Sequence, residues 1–301
     1  MMSRKYSRNL FCCLLTLSLM PVASNAADMD DYEFIAPQTA PCSRSSRAHS
    51  HPRIDADEYL RIDSDFRSRA ATESYSTNWA GYVAAVGDMK NPTTNTVTKV
   101  VGSWIVPNLQ GSTAPKTWCS MWVGIDGIAP SKNVTQCGTE HDVENGMQSH
   151  YAWYEMFPAP SVSLTNFAVN VGDRITATIT YVALPGILPQ GNTLYIMQMT
   201  NETTKMYTLI PCIATSDLPR LCAEWIVEAP FMNETLPLSN FGTAYMSNCT
   251  ATINNITGGI NNAAWNNQRM TMISTNGGAV KANTSSVSAD GKSFSVAWKG
   301  N

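Results

Sequence analysis

Apolar and polar residues alternate with a period of two along much of the chain. Arg174-Ile-Thr-Ala-Thr-Ile-Thr-Tyr181 is the clearest case, with apolar residues on one side and Thr on the other, the pattern of a strand with one buried face. Further β-rich runs lie at residues 79–86, 97–106, 118–126, 149–157, 193–199, 205–210, 224–228, 242–247, 269–274 and 293–298. Turn residues separate them, among them Gly87-Asp88, Asn91-Pro92, Gly191-Asn192 and Gly258-Gly259. Helical periodicity is nearly absent and no internal repeat is visible. About a dozen short strands at this spacing predict an all-β fold, an antiparallel β-sandwich or barrel.

Composition narrows the classes. The 301 residues are 44% hydrophobic and 14% charged, enough apolar material for a core and too little charge for a disordered polyelectrolyte. Net charge is -3 and no basic block occurs, so the chain carries no signature of a nucleic-acid partner. At the N-terminus Arg4, Lys5 and Arg8 precede an apolar run from Leu10 to Met20, and small residues Ala23, Ser24 and Ala26 follow. This is the pattern of a secretory signal peptide over 1–26, and the run is shorter than the roughly 20 residues that span a bilayer. We therefore expect a secreted protein with no membrane anchor.

A second boundary falls near residue 71. Residues 27–71 hold nine acidic side chains and six Arg, broken by Pro37, Pro41 and Pro52. The remainder, 72–301, carries 25 charged residues in 230, about a threefold lower density. The segment 27–71 is expected to be a propeptide, with Arg67 and Arg69 in a processing stretch, or an exposed arm that is never cut. Six sequons, at Asn133, Asn201, Asn233, Asn248, Asn255 and Asn283, fit a surface-exposed secreted chain. Of eight Cys, Cys12 and Cys13 leave with the leader; disulfides are expected among Cys42, Cys119, Cys137, Cys212, Cys222 and Cys249.

Several chemistries lack their sequence cues. Beyond residue 71 only His141 and His150 occur, with no His-Glu-x-x-His or Cys-x-x-Cys, so no zinc or other metal is expected. Neither a Gly-x-Ser-x-Gly elbow nor an Asp-Thr-Gly or Asp-Ser-Gly motif is present, and no glycine-rich dinucleotide or phosphate loop suggests a cofactor. A Cys119 or Cys137 nucleophile with His141 is disfavoured in a secreted β protein.

What remains is an ordered set of aromatic and carboxylate segments: Thr77-Asn-Trp-Ala-Gly-Tyr82, Ser103-Trp-Ile-Val-Pro107, Trp122-Val-Gly-Ile-Asp-Gly127, Thr135-Gln-Cys-Gly138, Tyr151-Ala-Trp-Tyr-Glu-Met-Phe-Pro158 and Ala223-Glu-Trp-Ile-Val-Glu228. Together they resemble the glutamic peptidase (eqolisin) family, over roughly Tyr75 to Gly242. The resemblance implies a β-sandwich of two antiparallel sheets in a concanavalin A-like lectin/glucanase layout. It implies a catalytic pair at Gln136 and Glu228, with Trp122, Asp126 and Glu155 as substrate-binding residues of the active site. Cys137 stands where the family commonly has Thr, and Met156-Phe157 where it often has Trp-Tyr. Beside these matched segments, Cys119 with Cys137 and Cys212 with Cys222 are the expected disulfide pairs.

The chemistry of the two residue types suits amide hydrolysis. A Glu, with a reference pKa of about 4.3, can deprotonate water and then protonate the leaving amine in mildly acid solution. A Gln offers an acceptor oxygen for the water and an N–H for the developing oxyanion, and does not titrate. The expected activity is that of a secreted, pepstatin-insensitive acid endopeptidase that acts on protein or peptide substrates as a monomer. A carbohydrate-binding lectin-like module and a glycoside hydrolase are the rival classes. Glu224 and Glu228 sit about 13 Å apart on a strand, too far for a glycosidase pair, whereas Glu155 with Glu228 stays open.

Overall fold

Period-two alternation becomes strand throughout. Arg174–Val182 buries Ile175, Ala177 and Ile179 while Arg174, Thr176 and Thr178 face outward, as β-branched residues on a pleated surface should. The computed structural model describes residues 29–41, 73–111, 114–232, 234–275 and 278–300. The leader at 1–26, Cys42, the Arg67 to Arg69 stretch and the Asn233 sequon lie outside the described residues.

Backbone pairing joins the main strands into one connected sheet folded into two layers. The first layer runs in the order Val280–Thr284, Asn266–Ile273, Trp79–Ala85, Cys222–Glu228, Lys116–Asp126, Val134–Glu144, Met147–Phe157, Val162–Leu164 and Thr39–Pro41. The second runs Met206–Ala214, Thr193–Asn201, Arg174–Val182, Val97–Ile105, Thr243–Ile253, Phe294–Trp298 and returns to Val280–Thr284. Neighbours in both layers are antiparallel; Glu73–Ser76 lies parallel to Asn266–Ile273. The fold is thus the all-β antiparallel sandwich that the pattern predicts, with Val280–Thr284 shared by its two layers.

Two apolar clusters flank the first layer. Trp104, Met121, Val123, Ile179, Tyr195, Trp225 and Met246 are buried between the layers. Each large apolar side chain so buried contributes about 2 kcal/mol. Indole donors tie the layers together: Trp225 Nε1 donates to Val101 O at 2.6 Å and Trp104 Nε1 to Thr139 Oγ1 at 2.8 Å. On the opposite face Trp79, Val83, Trp122, Ile128, Val134, Trp153, Ile226 and Met270 form a second buried cluster. A layer buried on both faces explains why 118–126 reads as a nearly continuous apolar run.

Part of the segment set apart by charge is built into the sandwich. Thr39–Pro41 pairs with Val162–Leu164, Gln38 N donates to Asn166 Oδ1 at 2.9 Å, and Ile35 N donates to Tyr207 O at 2.8 Å. One compact unit accordingly runs Phe34–Asn301.

The expected disulfides are corrected. Cys119, Cys137, Cys212, Cys222 and Cys249 are buried free thiols. Cys119 stands opposite His141, and Cys137 opposite Val123, on adjoining strands. They are therefore offset by four residues, about 13 Å, where a bridge needs Cα atoms within about 7 Å. Cys212 belongs to the interlayer core, while Cys222 belongs to the cluster on the other face.

Candidate active site

Strand alternation decides what the outer face of the first layer presents. With Met121, Val123, Cys137 and Trp225 committed to the interlayer core, the other face receives Ser120, Trp122, Gly124, Gln136, Gly138, Glu140, Trp153, Glu155, Glu224, Ile226 and Glu228. Register arranges them in rungs across four strands. Glu228, Ser120, Glu140 and Tyr151 form one; Ile226, Trp122, Gly138 and Trp153 the next; Glu224, Gly124, Gln136 and Glu155 the third.

Glu228 is fully buried, and each of its carboxylate oxygens is held by a nitrogen donor. Asn78 Nδ2 donates to Oε1 at 3.1 Å and Trp122 Nε1 to Oε2 at 2.8 Å. Asn78 is itself fixed, because Ser76 Oγ donates to its Oδ1 at 3.0 Å and accepts from its backbone N at 3.2 Å. Trp122 packs edge-on against Trp79, with ring centroids 5.0 Å apart. Gln136, also fully buried, donates through Nε2 to Glu155 Oε2 at 2.5 Å across their shared rung.

Two glycines make room for the Trp122 ring. A Cβ at Gly138 would stand 2.2 Å from Met121 O and 2.5 Å from Trp122 Cβ; one at Gly124 would stand 2.7 Å from Trp122 Cζ3. Gly124 and Gly138, quoted within the matched segments, are thus packing requirements around the central Trp.

Burial dominates the electrostatics. It pushes the Glu140 carboxyl well above the usual range, with Asp142 and Glu228 acting in the same direction. Glu224 is likewise raised by burial first, against the hydrogen bond from Cys222, with Asp126 and Glu228 adding to the rise. Asp126 rises to about 7 through burial, although backbone hydrogen bonds and Arg220 oppose the shift. Its Oδ1 accepts from Leu221 N at 2.7 Å and its Oδ2 from Arg220 N at 3.1 Å, so the Asp126 carboxyl holds the backbone before Cys222 against the strand end.

The sequence-derived residues therefore fall into two groups on one face. Trp122 joins Glu228, and Glu155 joins Gln136. Gln136 and Glu228 lie two strands apart and four residues offset, about 13 Å along the strand direction, with the Trp122 rung between them. Asp126 sits one rung beyond Gly124. Sequence reasoning missed Asn78, Ser120, Glu140 and Asp142 as parts of this face. Asn78 was within reach, since it lies in the quoted Thr77-Asn-Trp segment. Among the described residues no group of three or more His, Cys, Asp and Glu is arranged to hold a metal ion.

Comparison with known proteins gives concordant matches. The family model described as the Peptidase A4 family matches residues 77–298. Aspergillopepsin-2 of Aspergillus niger is 26% identical over 264 residues, covering 80% of this chain and 86% of its own. Scytalido-glutamic peptidase with a transition state analog inhibitor superposes with a TM-score of 0.57 at 20% identity, covering 74% of this chain and 99% of that one. SCP-B, a member of the eqolisin family in complex with the tripeptide Ala-Ile-His, gives 0.54 at 20% identity with the same coverage. These structural likenesses establish the sandwich as a shared fold.

Proposed function

The chain belongs to the peptidase A4 family and is a glutamic-type endopeptidase; on that premise we propose that Glu228 is its general base and acid and that Gln136 stabilises the oxyanion. The observation that carries this is the pair of donors on Glu228. Nitrogens of Asn78, in the bend before Trp79–Ala85, and of Trp122, on Lys116–Asp126, fix both oxygens of one carboxylate, which is how a proton-transfer group is held in a set orientation. Gln136 is held too, since Glu155 accepts one Nε2 hydrogen and leaves the other for a ligand.

In this reading the scissile peptide lies over the Trp122 rung, between the Glu228 and Gln136 groups. Glu228 takes a proton from water as the water oxygen attacks the carbonyl carbon, and the oxyanion accepts from Gln136 Nε2. Glu228 then gives the proton to the amide nitrogen, the C–N bond breaks, and a carboxylic acid and an amine leave. Trp122 and Glu155 shape the substrate groove, and Asp126 supports its end. Gln136 and Glu228 are both fully buried in the full chain, so access requires an opening step, which we assign to processing within 27–71. The leader and the missing Asp-Thr-Gly motif extend the proposal to an exported, pepstatin-insensitive enzyme.

The test is hydrolysis of an unfolded protein, from acid to neutral pH and with pepstatin present, by the acid-incubated chain and its Glu228→Gln and Gln136→Ala variants. Cleavage confined to acid pH and lost in both folded variants is expected. Parent-like turnover in Glu228→Gln would end the assignment.

A further inference from the structure

Glu224 has no part in the chemistry above, yet it lies on the Gln136 rung and is fully buried. Its head leans over the glycines between the two strands. A Cβ at Gly124 would be 3.2 Å from Oε2, and one at Gly127 would be 2.7 and 2.6 Å from Oε1 and Oε2. Cys222 Sγ donates to Oε1 at 3.4 Å, while Oε2 is buried without a partner. On the far side of Gly124, Gln136 Oε1 is also buried without a donor. Two acceptor oxygens cannot satisfy each other; a proton on the Glu224 carboxyl turns one of them into a donor.

The surroundings favour that proton. Among the described residues, the titratable groups facing Glu224 are Cys222 and Glu228 on its own strand, Asp126 on the adjoining one and Glu155 beyond Gln136. The Trp79–Ala85 strand on its other side turns Trp79, Gly81, Val83 and Ala85 to this face, none of which titrates, while Tyr82 faces the interlayer core. No cation is among them; burial, Asp126 and Glu228 disfavour the carboxylate and outweigh the hydrogen bond from Cys222, which favours it.

We propose that Glu224 is a positioning residue whose carboxylic acid donates to Gln136 Oε1, directly or through one water, and so fixes the amide with Nε2 toward Glu155 and the groove. The inference rests on the proposed role of Gln136. It makes Gln136 one end of an ordered line in which Glu224 donates to the amide oxygen and the amide nitrogen donates to Glu155. An amide locked at both ends presents its free N–H at one angle, and small misplacements of such a group are costly.

The experiment compares the acid-incubated full chain with Glu224→Gln and Glu224→Met. Glu224→Met, which keeps length but has no donor, is expected to lower kcat about tenfold or more with KM within about twofold. Glu224→Gln, which keeps an N–H donor, should recover most of that loss. The infrared difference spectrum of parent minus Glu224→Gln at acid pH should contain a protonated-carboxyl band. The inference is overturned by a Met variant with native near-UV circular dichroism and parent kcat, by a Gln variant as slow as the Met variant, or by an absent band. If the Met variant does not fold, the Gln variant and the band decide. Glu228→Gln in the same assay separates the two levels. Its retained activity would sink the underlying mechanism, whereas its loss beside an unaffected Met variant sinks only the role of Glu224.

Discussion

The indole N–H of Trp122 reaches diagonally to Glu228 Oε2 on the adjoining strand, 2.8 Å away, although the backbone partner of Trp122 on that strand is Ile226. The ring is thus both a wall of the groove and half of what orients the carboxylate. Trp122→Phe keeps an aromatic ring against Trp79 and removes the donor. A hydrogen bond to a charged group contributes about 1.5–3 kcal/mol, so kcat should fall about tenfold to a hundredfold. Steady-state kinetics beside a thermal melt would check this. A folded Phe variant with unchanged kcat would show that Asn78 alone suffices.

Gly138 stands between Trp122 and Trp153 on the central rung. Since its Cβ would approach Met121 O to 2.2 Å, and backbone cannot yield as a flexible side chain does, Gly138→Ala should destabilise the fold by about 3 kcal/mol and remove activity. Gly111, where an added Cβ would meet nothing within 4 Å, supplies the control. Urea unfolding should place Gly111→Ala near the parent and Gly138→Ala far below it; equal midpoints would refute the packing account.

What the sequence reveals depends on what each face buries. Arg174–Val182 is legible because only one of its faces is buried. Val134–Glu144, the strand that carries Gln136, is not, because its outer face bears Gln136, Gly138 and Glu140 while its core face bears Cys137, Thr139 and His141. Polar residues buried on both sides erase the alternation, so Gln136 reads as a loop residue. Glu140 and Asp142 were hidden with it. The matched segments located Trp122, Glu155 and Glu228 without any such pattern. They could not indicate that Asp126 would be occupied by the Arg220 and Leu221 amides, a contact set by a loop 94 and 95 residues away.

The buried acids make stability depend on pH. Burial pushes the Asp126 carboxyl up to about 7 from its ordinary 3.8, so the fold binds its proton more tightly than the unfolded chain does. That contribution is fully present below the unfolded value and disappears as pH rises through about 7; the gap corresponds to about 4 kcal/mol. Glu140 and Glu224, also raised, act with the same sign. Urea unfolding at intervals from about pH 4 to about pH 7 should show falling stability, with a shallower slope in Glu224→Gln. A parent whose stability is flat or rises over that range would contradict the shifts.

A histidine pair in the core opposes this trend. His141 and His150 face each other across one rung with their Nδ1 atoms 2.9 Å apart, and His141 Nε2 lies 2.9 Å from Thr139 Oγ1, which accepts from Trp104 Nε1. Only one proton fits between the two Nδ1 atoms. Burial, and for His141 also the neighbouring ring, holds both pKa values below the usual 6.5. With the neutral forms favoured by the fold, this contribution is intact above pH 6.5 and is lost as pH falls through the folded values. Against the carboxylates, it sets an acid limit to the stable range. His150→Phe removes one titrating ring and the clash that a second proton would create. At neutral pH the variant should be less stable than the parent by about 1 kcal/mol for the lost hydrogen bond, and that deficit should shrink or reverse toward acid pH. A deficit that stays constant across the titration would mean the pair bears no pH-dependent load. His141 shares its strand with Gln136 and Glu140, so a pair driven apart by a second proton loosens the strand that presents the amide. The same variant should therefore also keep activity to lower pH than the parent.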